Sequence, residues 1–200
     1  RSKRPMVVGV ITNSIGNPFF EEVYRGVEEA LGEYRDYGFS VLRREIKGYD
    51  VEEQISAMRS LFDQVDGLMF TPIGDAKIAR EIGVYAAAGK PAVTVTADVE
   101  GSDRVLYVGC DYYKSGQTAA KITALATGGQ GEVAIVTGSF KMLGHNDRVR
   151  GFRSVLKDTN LRVAEILECN DDDKTAYEKT ARLLKNRPAL CAVYVAAAGV

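Results

Sequence analysis

The side chains best suited to bind a ligand follow the first predicted strand, in segment 13–20, N-S-I-G-N-P-F-F. Asn17 carries an amide that can cap a helix, and Pro18 suits the first helical position. Phe20 falls on the apolar face of the helix that follows, whereas Phe19 falls off that face. Because ligand crevices of α/β sheets lie beyond the carboxyl ends of strands, Phe19 is predicted to face a ligand. Phe20 is equally consistent with a core position.

Three later polar residues occupy comparable positions after strands or loops. Arg148 follows a predicted strand at 133–136 and a polar loop. Its guanidinium offers five fixed donors to vicinal hydroxyls or to a carboxylate, with a solvated surface arginine as the alternative. Asp98 lies after another strand in the same way. His145, the single histidine, is interpreted either as a polar contact at the rim of a site or as an ordinary loop residue.

The sequence favours binding over catalysis. No Gly-x-Ser-x-Gly nucleophile turn accompanies His145, and no second histidine could share a metal with it. The acidic run 171–173 precedes a predicted helix and is interpreted as helix capping rather than a metal site. The glycine-rich segment 128–131 follows a helix and precedes a strand, which is the wrong order for a phosphate-binding loop. We therefore predict no enzyme, no metal and no cofactor.

Strand and helix patterns alternate along the chain with short connections, which predicts parallel sheets covered by helices on both faces. The predicted strands are 7–11, 39–43, 68–70, 92–96, 104–108, 133–136, 163–167 and 192–195. The predicted helices are 17–36, 50–65, 76–88, 111–125, 149–156 and 175–184. The fold class is therefore α/β.

A break in this alternation divides the chain. The strands at 92–96 and 104–108 are joined through a Gly-Ser-Asp turn without an intervening helix. We therefore place a lobe boundary after residue 101, with an N-terminal α/β lobe at 6–101 and a C-terminal α/β lobe at 102–200. The second lobe is expected to be incomplete, because only a few residues follow its last predicted strand.

The bulk composition is that of an ordinary globular protein, with 46% hydrophobic and 26% charged residues. A formal net charge of -1 provides no basic field that would recruit nucleic acid. No apolar run approaches the roughly 20 residues that cross a membrane, so no membrane partner is predicted. Three cysteines, Cys110, Cys169 and Cys191, lack C-x-x-C spacing. They predict reduced, partly buried thiols in the cytoplasm, with a secreted protein carrying a free thiol as the alternative.

Four segments, taken together and in order, resemble one superfamily. They are 17–20 (N-P-F-F), 94–104 (T-V-T-A-D-V-E-G-S-D-R), 107–116 (Y-V-G-C-D-Y-Y-K-S-G) and 148–152 (R-V-R-G-F). The chain resembles the effector domain of lac-repressor family (LacI family) transcriptional regulators. It equally resembles type I periplasmic binding proteins of the ribose-binding type.

The resemblance implies two Rossmann-like lobes with parallel sheets and a ligand cleft between them, the type I periplasmic binding protein fold. It implies a sugar or polyol as the small-molecule effector. Asn17 would then bond a sugar hydroxyl, and Phe19 and Phe20 would cover the C–H face of the ring. Arg148 would bond hydroxyls from the other lobe, and Asp98 would accept from them.

Two departures from the ribose-binding pattern reduce the number of polar contacts. The ribose type has an adjacent Asp-Arg pair at the exit of its fourth strand, where this chain has Thr96-Ala97. The family's Asn-Asp after the last strand is here Ala197-Ala198. These replacements favour a different sugar or a less polar effector over ribose.

Residues 1–5, R-S-K-R-P, resemble the remnant of the hinge that joins a DNA-binding head to the effector domain. Together with the free cysteines, this favours a cytoplasmic homodimeric regulator that reads operator DNA through an upstream helix-turn-helix. The residues that contact DNA would lie before Arg1. The alternatives are a sugar-binding receptor of an ABC transporter, which would be exported, and an enzyme built on the same architecture.

Overall fold

The computed structural model describes residues 5–13, 15 and 17–197. It divides the chain into two compact units, Arg1–Gly109 and Cys110–Val200. The hinge-like residues 1–4 and the departure at Ala198 lie outside the described residues.

The first unit is built on a parallel sheet. Its strands are β1 (Met6–Thr12), β2 (Phe39–Glu45), β3 (Gly67–Phe70), β4 (Ala92–Val95) and β5 (Leu106–Val108), and its helices are α1 (Phe19–Tyr34), α2 (Val51–Leu61) and α3 (Ala76–Ala87). The strands pair in the order β2-β1-β3-β4-β5, each pair parallel. Since the chain moves from β1 to β2 on one side and to β3 on the other, the carboxyl end of β1 is a topological switch point.

The strand β5 corrects the expected lobe boundary. Its residues pair with β4, with Leu106 opposite Val93 and Val108 opposite Val95. The unit therefore ends at Gly109 rather than at residue 101. The sequence suggested a break because no helix joins the two strands, but a connection without a helix here still leads to a neighbouring edge strand of the same sheet.

The core of the first unit lies on one face of the sheet. Met58 and Leu61 from α2 and Ile78 and Ile82 from α3 are fully buried there. Tyr85 is also fully buried, and its hydroxyl donates to the Met58 carbonyl at 2.6 Å. On the opposite face, an open apolar groove of about 440 Å³ lies between α1 and the sheet.

The second unit carries helices on both faces of its sheet. Its strands are β6 (Gln130–Thr137), β7 (Asn160–Glu168) and β8 (Leu190–Val195), and its helices are α4 (Tyr112–Thr127), α5 (Leu143–Leu156) and α6 (Asp173–Asn186). The parallel order is β7-β6-β8. One core cluster includes Phe152 from α5 and Ala120 from α4, and a second includes Leu183 from α6. The carboxyl end of the central strand β6 is therefore the switch point of this unit.

Two glycines allow α4 and α5 to pack closely. A Cβ on Gly116 would lie 2.1 Å from the Arg148 carbonyl oxygen, and a Cβ on Gly151 would lie 2.0 Å from the Tyr113 carbonyl oxygen. Any larger residue would push the helix backbones apart. The two glycines therefore fix the position of the α5 backbone at Arg148.

Helix bounds differ from the predicted ones at two places. α5 begins at Leu143, six residues before the predicted start, so His145 lies in its first turn rather than in a loop. α1 begins at Phe19, and a 3-10 turn at Arg35–Tyr37 extends it. None of the described helices is long and apolar enough to cross a membrane.

The three thiols differ in exposure. Cys169 is buried, as the sequence predicted, whereas Cys110 and Cys191 are exposed. All three are free cysteines. The expectation of burial failed for the last two because Cys110 lies in the connection between β5 and α4, and Cys191 lies on β8 at the edge of the described sheet.

Candidate functional site

The entrance of α1 presents one exposed and one buried aromatic ring. Phe19 is 41% exposed and Phe20 is 5% exposed, with ring centroids 5.3 Å apart in an edge-to-face arrangement. The Asn17 side-chain oxygen accepts a hydrogen bond from the Phe19 backbone N–H at 3.0 Å. The Asn17 amide nitrogen has no partner among the described residues. Phe20 therefore belongs to the core and supports Phe19, while Phe19 and the Asn17 amide remain available to a ligand.

A buried amide network lies behind this entrance. The fully buried Gln54 accepts from the Ile73 N–H at 2.8 Å and donates to the Thr71 carbonyl at 2.9 Å. It also donates to the Asn13 side-chain oxygen at 3.1 Å. Asn13, the residue after β1, is 5% exposed, and its amide nitrogen is buried without a partner in the described part of the chain. An unsatisfied donor of this kind costs about 1–3 kcal/mol.

Sequence reasoning missed this network, although a signal was present. Gln54 stands one helical turn before Met58 and two before Leu61, on the apolar face of α2. A polar residue in such a row indicates a buried hydrogen-bonding role.

Thr96 has a strained backbone at the carboxyl end of β4. Its φ of 62° lies in the left-handed region, which a β-branched residue rarely adopts. Its hydroxyl lies 3.1 Å from the Thr71 hydroxyl, and its N–H donates to the Val108 carbonyl at 2.9 Å. Such strain costs on the order of 1–3 kcal/mol and is concentrated at functional sites.

Asp98 is engaged by the protein through both carboxylate oxygens. Arg104 places Nε and Nη2 at 2.5 Å from the two oxygens, and the Thr94 hydroxyl donates at 2.9 Å. The side chains of Asp98 and Arg104 are only 18% and 30% exposed. Asp98 therefore holds the turn between β4 and β5, a role that the sequence did not predict.

Arg148 is held over an aromatic ring in the second unit. Its guanidinium carbon lies 4.0 Å from the centroid of the Tyr112 ring, a cation–π arrangement. A Cβ on Gly144 would lie 2.6 Å from the Tyr112 ring, so this glycine makes room for it. The half-buried Arg148 is therefore a positioned donor rather than a freely solvated one.

His145 lies one turn before Arg148 on α5. Its Nδ1 donates to the Ser139 carbonyl at 2.9 Å, since a carbonyl can only accept. Burial, together with the charge of Arg148, lowers the His145 pKa from 6.5 to about 4. The ring is therefore neutral near pH 7, and Nε2 can only accept a hydrogen bond.

The acidic run 171–173 has two different roles. Asp172 caps α6 by accepting from the Thr175 N–H at 2.7 Å, as the sequence predicted. Asp171 instead follows Asn170 in the left-handed region, with φ values of 55° and 54°. Both of its carboxylate oxygens are buried without a partner among the described residues, and burial raises its pKa to about 7. The sequence did not predict the burial of Asp171.

The predicted site residues thus lie at three places in the fold. Asn17, Phe19 and Phe20 lie together after β1, whereas Asp98 belongs to the β4–β5 turn. His145 and Arg148 share α5, after β6. Across residues 5–13, 15 and 17–197, no group of three or more His, Cys, Asp or Glu side chains could hold a metal ion.

Comparison with known proteins agrees with this architecture. The sequence model of the periplasmic binding protein domain family matches residues 8–200. The ribose import binding protein RbsB of Bacillus subtilis (strain 168) is 26% identical over 194 residues, 96% of this chain and 62% of that protein. The HTH-type transcriptional regulator DegA of the same strain is 24% identical over 198 residues, 93% of this chain and 55% of that protein.

A solved structure shows the same fold. GanP, a glucose-galactose binding protein from Geobacillus stearothermophilus, superimposes with a TM-score of 0.86 at 26% identity, over 96% of this chain and 69% of GanP. The α/β class with parallel sheets is therefore confirmed. The chain spans less than two thirds of the length of RbsB and of DegA. These relatives are binding proteins and a regulator rather than enzymes, in agreement with the predicted lack of catalysis.

Proposed function

We propose a ligand-binding function for this chain, which belongs to the periplasmic binding protein domain family: it binds a sugar or a similar small polar metabolite. The observation that carries the proposal is the position of the predicted ligand-binding side chains in each unit. Asn17 and Phe19 follow β1, and His145 and Arg148 follow β6. In each sheet, this is the strand whose two neighbours are the next two strands in the chain, one on either side. Ligands of open α/β sheets bind at such points.

The chemistry of these side chains suits a polyhydroxylated ring. The exposed Phe19 ring offers an apolar face to the C–H side of a sugar, and Phe20 holds it edge-on from the core. The free amide nitrogen of Asn17 and the guanidinium of Arg148 are donors for hydroxyl oxygens.

We infer further that the chain is the effector domain of a lac-repressor-type transcriptional regulator. The proposed protein is a cytoplasmic homodimer that reads operator DNA through a helix-turn-helix upstream of these residues. The similarity to the HTH-type regulator DegA and the three free cysteines support this inference. The sugar would act as its small-molecule effector.

Regulation in this proposal follows from linkage. A ligand changes DNA binding only as far as it binds two arrangements of the protein with different affinity. A coupling free energy of about 1–3 kcal/mol would change DNA affinity about 5- to 150-fold. The effector-binding groups and the DNA-binding head then need no direct contact.

A sugar-binding receptor of an ABC transporter is the second candidate. The similarity to the ribose import binding protein RbsB and to the glucose-galactose binding protein GanP favours it. It shares the proposed ligand class and differs in the partner, which would be a membrane transporter instead of DNA.

Sugar binding is tested by thermal unfolding of the full-length protein with a panel of sugars and polyols. A bound ligand raises the melting temperature, because it stabilises the folded state in proportion to its concentration over Kd. Arg148→Ala should lower the affinity by roughly 10- to 100-fold, since it removes charged hydrogen bonds. Arg153→Ala removes an exposed arginine of the same helix and serves as the control. A panel without any stabilising sugar or polyol would refute the binding proposal.

DNA binding separates the two candidate functions. A regulator should bind a specific operator fragment, and the sugar found in the first experiment should change that affinity about 5- to 150-fold. A transport receptor should bind sugar equally well and show no specific DNA affinity. Sedimentation of the same sample checks the proposed dimer.

A further inference from the structure

A carboxyl group and an imidazole meet at the carboxyl end of β6. A Cβ on Gly138 would lie 2.0 Å from Oδ1 of Asp171 and 2.4 Å from Cε1 of His145. Both side chains therefore lie against the same backbone position and are neighbours. Gly138 directly follows the central strand of the sheet, so the pair stands at the switch point of the second unit.

Among the described residues, neither side chain has a protein donor for its remaining acceptor atoms. The two carboxylate oxygens of Asp171 are buried and without a partner among the described residues. Nδ1 of His145 is committed to the Ser139 carbonyl, which leaves Nε2 as an acceptor with no partner in the same part of the chain. The two buried carboxylate oxygens are unfavourable unless a donor reaches them.

The backbone holds Asp171 inward by an unusual turn. Asn170 and Asp171 are consecutive non-glycine residues with φ of 54° and 55°. The Cys169 N–H donates to the Thr137 carbonyl at 2.8 Å, and the Asn170 N–H donates to the Gly138 carbonyl at 3.2 Å. These bonds tie the turn to the end of β6, so the carboxyl group faces Gly138.

We propose that Asp171 and His145 form an acceptor pair that binds hydrogen-bond donors of the ligand, namely hydroxyl or ammonium groups. The inference rests on the proposed sugar-binding function and defines its ligand class more narrowly. The acceptor pair favours neutral sugars and amino sugars. It disfavours sugar acids and sugar phosphates that would place a second anion against the carboxylate.

Proton linkage gives the acceptor pair a measurable signature. Burial holds the pKa of Asp171 at about 7, and a donor from the ligand favours its ionised form. Binding should therefore release a proton, and affinity should rise with pH up to neutrality. His145, with a pKa of about 4, stays neutral over this range.

Other charged groups on the surrounding elements act on the acceptor pair. Arg148 on α5 and Glu168 at the end of β7 act on His145 through their charges, and the Glu168 side chain accepts from the Phe140 N–H at 2.8 Å. On α6, the Lys179 ammonium donates to the Glu168 carbonyl at 2.5 Å. Burial raises the pKa of the Cys169 thiol, which therefore stays protonated.

The test is calorimetric titration of the full-length protein between pH 5.5 and 8. The probes are D-ribose, D-glucose and D-galactose, with glucosamine, galactosamine, glucuronate, galacturonate and ribose 5-phosphate as derivatives. The affinity of a bound neutral sugar should rise by up to about tenfold per pH unit below pH 7. Its acid or phosphate derivative should bind at least roughly tenfold more weakly. An amino sugar that binds more tightly than its parent assigns the donor as ammonium, and the reverse order assigns it as hydroxyl.

Asp171→Asn should abolish the pH dependence and weaken binding at pH 8 by roughly tenfold or more. Asp173→Asn changes an exposed carboxylate two residues away and should keep the wild-type profile. Gly138→Ala places a methyl group between the pair and should block binding, with circular dichroism checking the fold of each variant. Wild-type affinity and pH dependence retained in Asp171→Asn would overturn the acceptor pair alone. A wild type that binds no sugar would overturn the proposed function and the acceptor pair together.

Discussion

The carbonyl oxygen of Arg148 lies 2.1 Å from the position that a Cβ on Gly116 would occupy. The absence of a side chain on α4 thus determines how closely α5 approaches, and with it where the Arg148 guanidinium stands. The arginine of the proposed site is positioned by a glycine more than thirty residues earlier in the chain.

Gly116→Ala is therefore expected to reduce both stability and sugar affinity. The added methyl group meets backbone rather than a flexible side chain, so the two helices must separate, at about 1–3 kcal/mol of unfolding free energy. Gly32→Ala is the matched control in α1, where a Cβ meets nothing within 4 Å. That control should gain about 0.5–1 kcal/mol, because alanine favours the helix. Urea unfolding measures the unfolding free energies of both variants. Equal stabilities of the two would contradict the close packing of α4 and α5.

The two adjacent phenylalanines should separate core packing from ligand contact. Phe20→Ala removes a ring that is 5% exposed and should lower the unfolding free energy by about 3 kcal/mol. Phe19→Ala removes a ring that is 41% exposed and should change stability by less than about 1 kcal/mol. Sugar affinity should nevertheless fall in Phe19→Ala. Denaturant unfolding and sugar titration of both variants provide the measurements, and unchanged affinity in Phe19→Ala would remove this ring from the site.

Much of the fold could be predicted because its signals are local. The apolar spacing of α2, for example, and the Asp50 cap that accepts from the Glu53 N–H at 2.9 Å are both visible in a short window of sequence. The position of Arg148 after β6 could be predicted in the same way. The sequence does not place His145 on a helix, because the first two turns of α5 contain glycine, histidine, asparagine and aspartate, which weaken the helical pattern.

The remaining features depend on contacts between distant segments. Asp171 has the sequence pattern of a capping residue, and its burial arises only because Gly138, directly after β6, leaves room for it. The sequence predicts Asp98 as a ligand acceptor, and it does not show the pairing with Arg104, which depends on the path of the turn between β4 and β5. The edge pairing of β5 is likewise invisible without the sheet order.

The Asn17 side chain has an oxygen that accepts from the Phe19 N–H and an amide nitrogen that can donate to a ligand. Two substitutions should separate the effects of these two atoms. Asn17→Asp keeps an oxygen that can accept from the Phe19 N–H, so stability should be retained. Asn17→Ala removes the cap and should lower the unfolding free energy by about 1 kcal/mol. Both variants lack the amide donor, so both should bind sugar roughly tenfold more weakly. Thermal unfolding and calorimetry distinguish the two effects, and wild-type affinity in Asn17→Asp would show that the donor does not contact the sugar.

His145 and Asp171 should impose opposite pH dependences on the stability of the unliganded protein. The folded-state pKa of His145 is lowered from 6.5 to about 4, so the unfolded chain binds the extra proton between these values. Its contribution is present above pH 6.5 and is lost as the pH falls towards 4, by up to about 3 kcal/mol. The pKa of Asp171 is raised from 3.8 to about 7, so its contribution is present at low pH and is lost as the pH rises through 7.

The two effects oppose each other over the same pH range in the wild type, and single substitutions should expose them. His145→Gln leaves the Asp171 contribution, so the unfolding free energy relative to wild type should decrease from pH 4.5 to pH 7. Asp171→Asn leaves the His145 contribution, so the relative unfolding free energy should increase over that range. Urea unfolding at four pH values, with Asp173→Asn as the control, measures these differences. The contributions of other titrating groups cancel when each variant is compared with the wild type at the same pH. Parallel profiles for the two variants would contradict the buried acceptor pair, because a solvated histidine and a solvated aspartate would contribute no such opposing slopes.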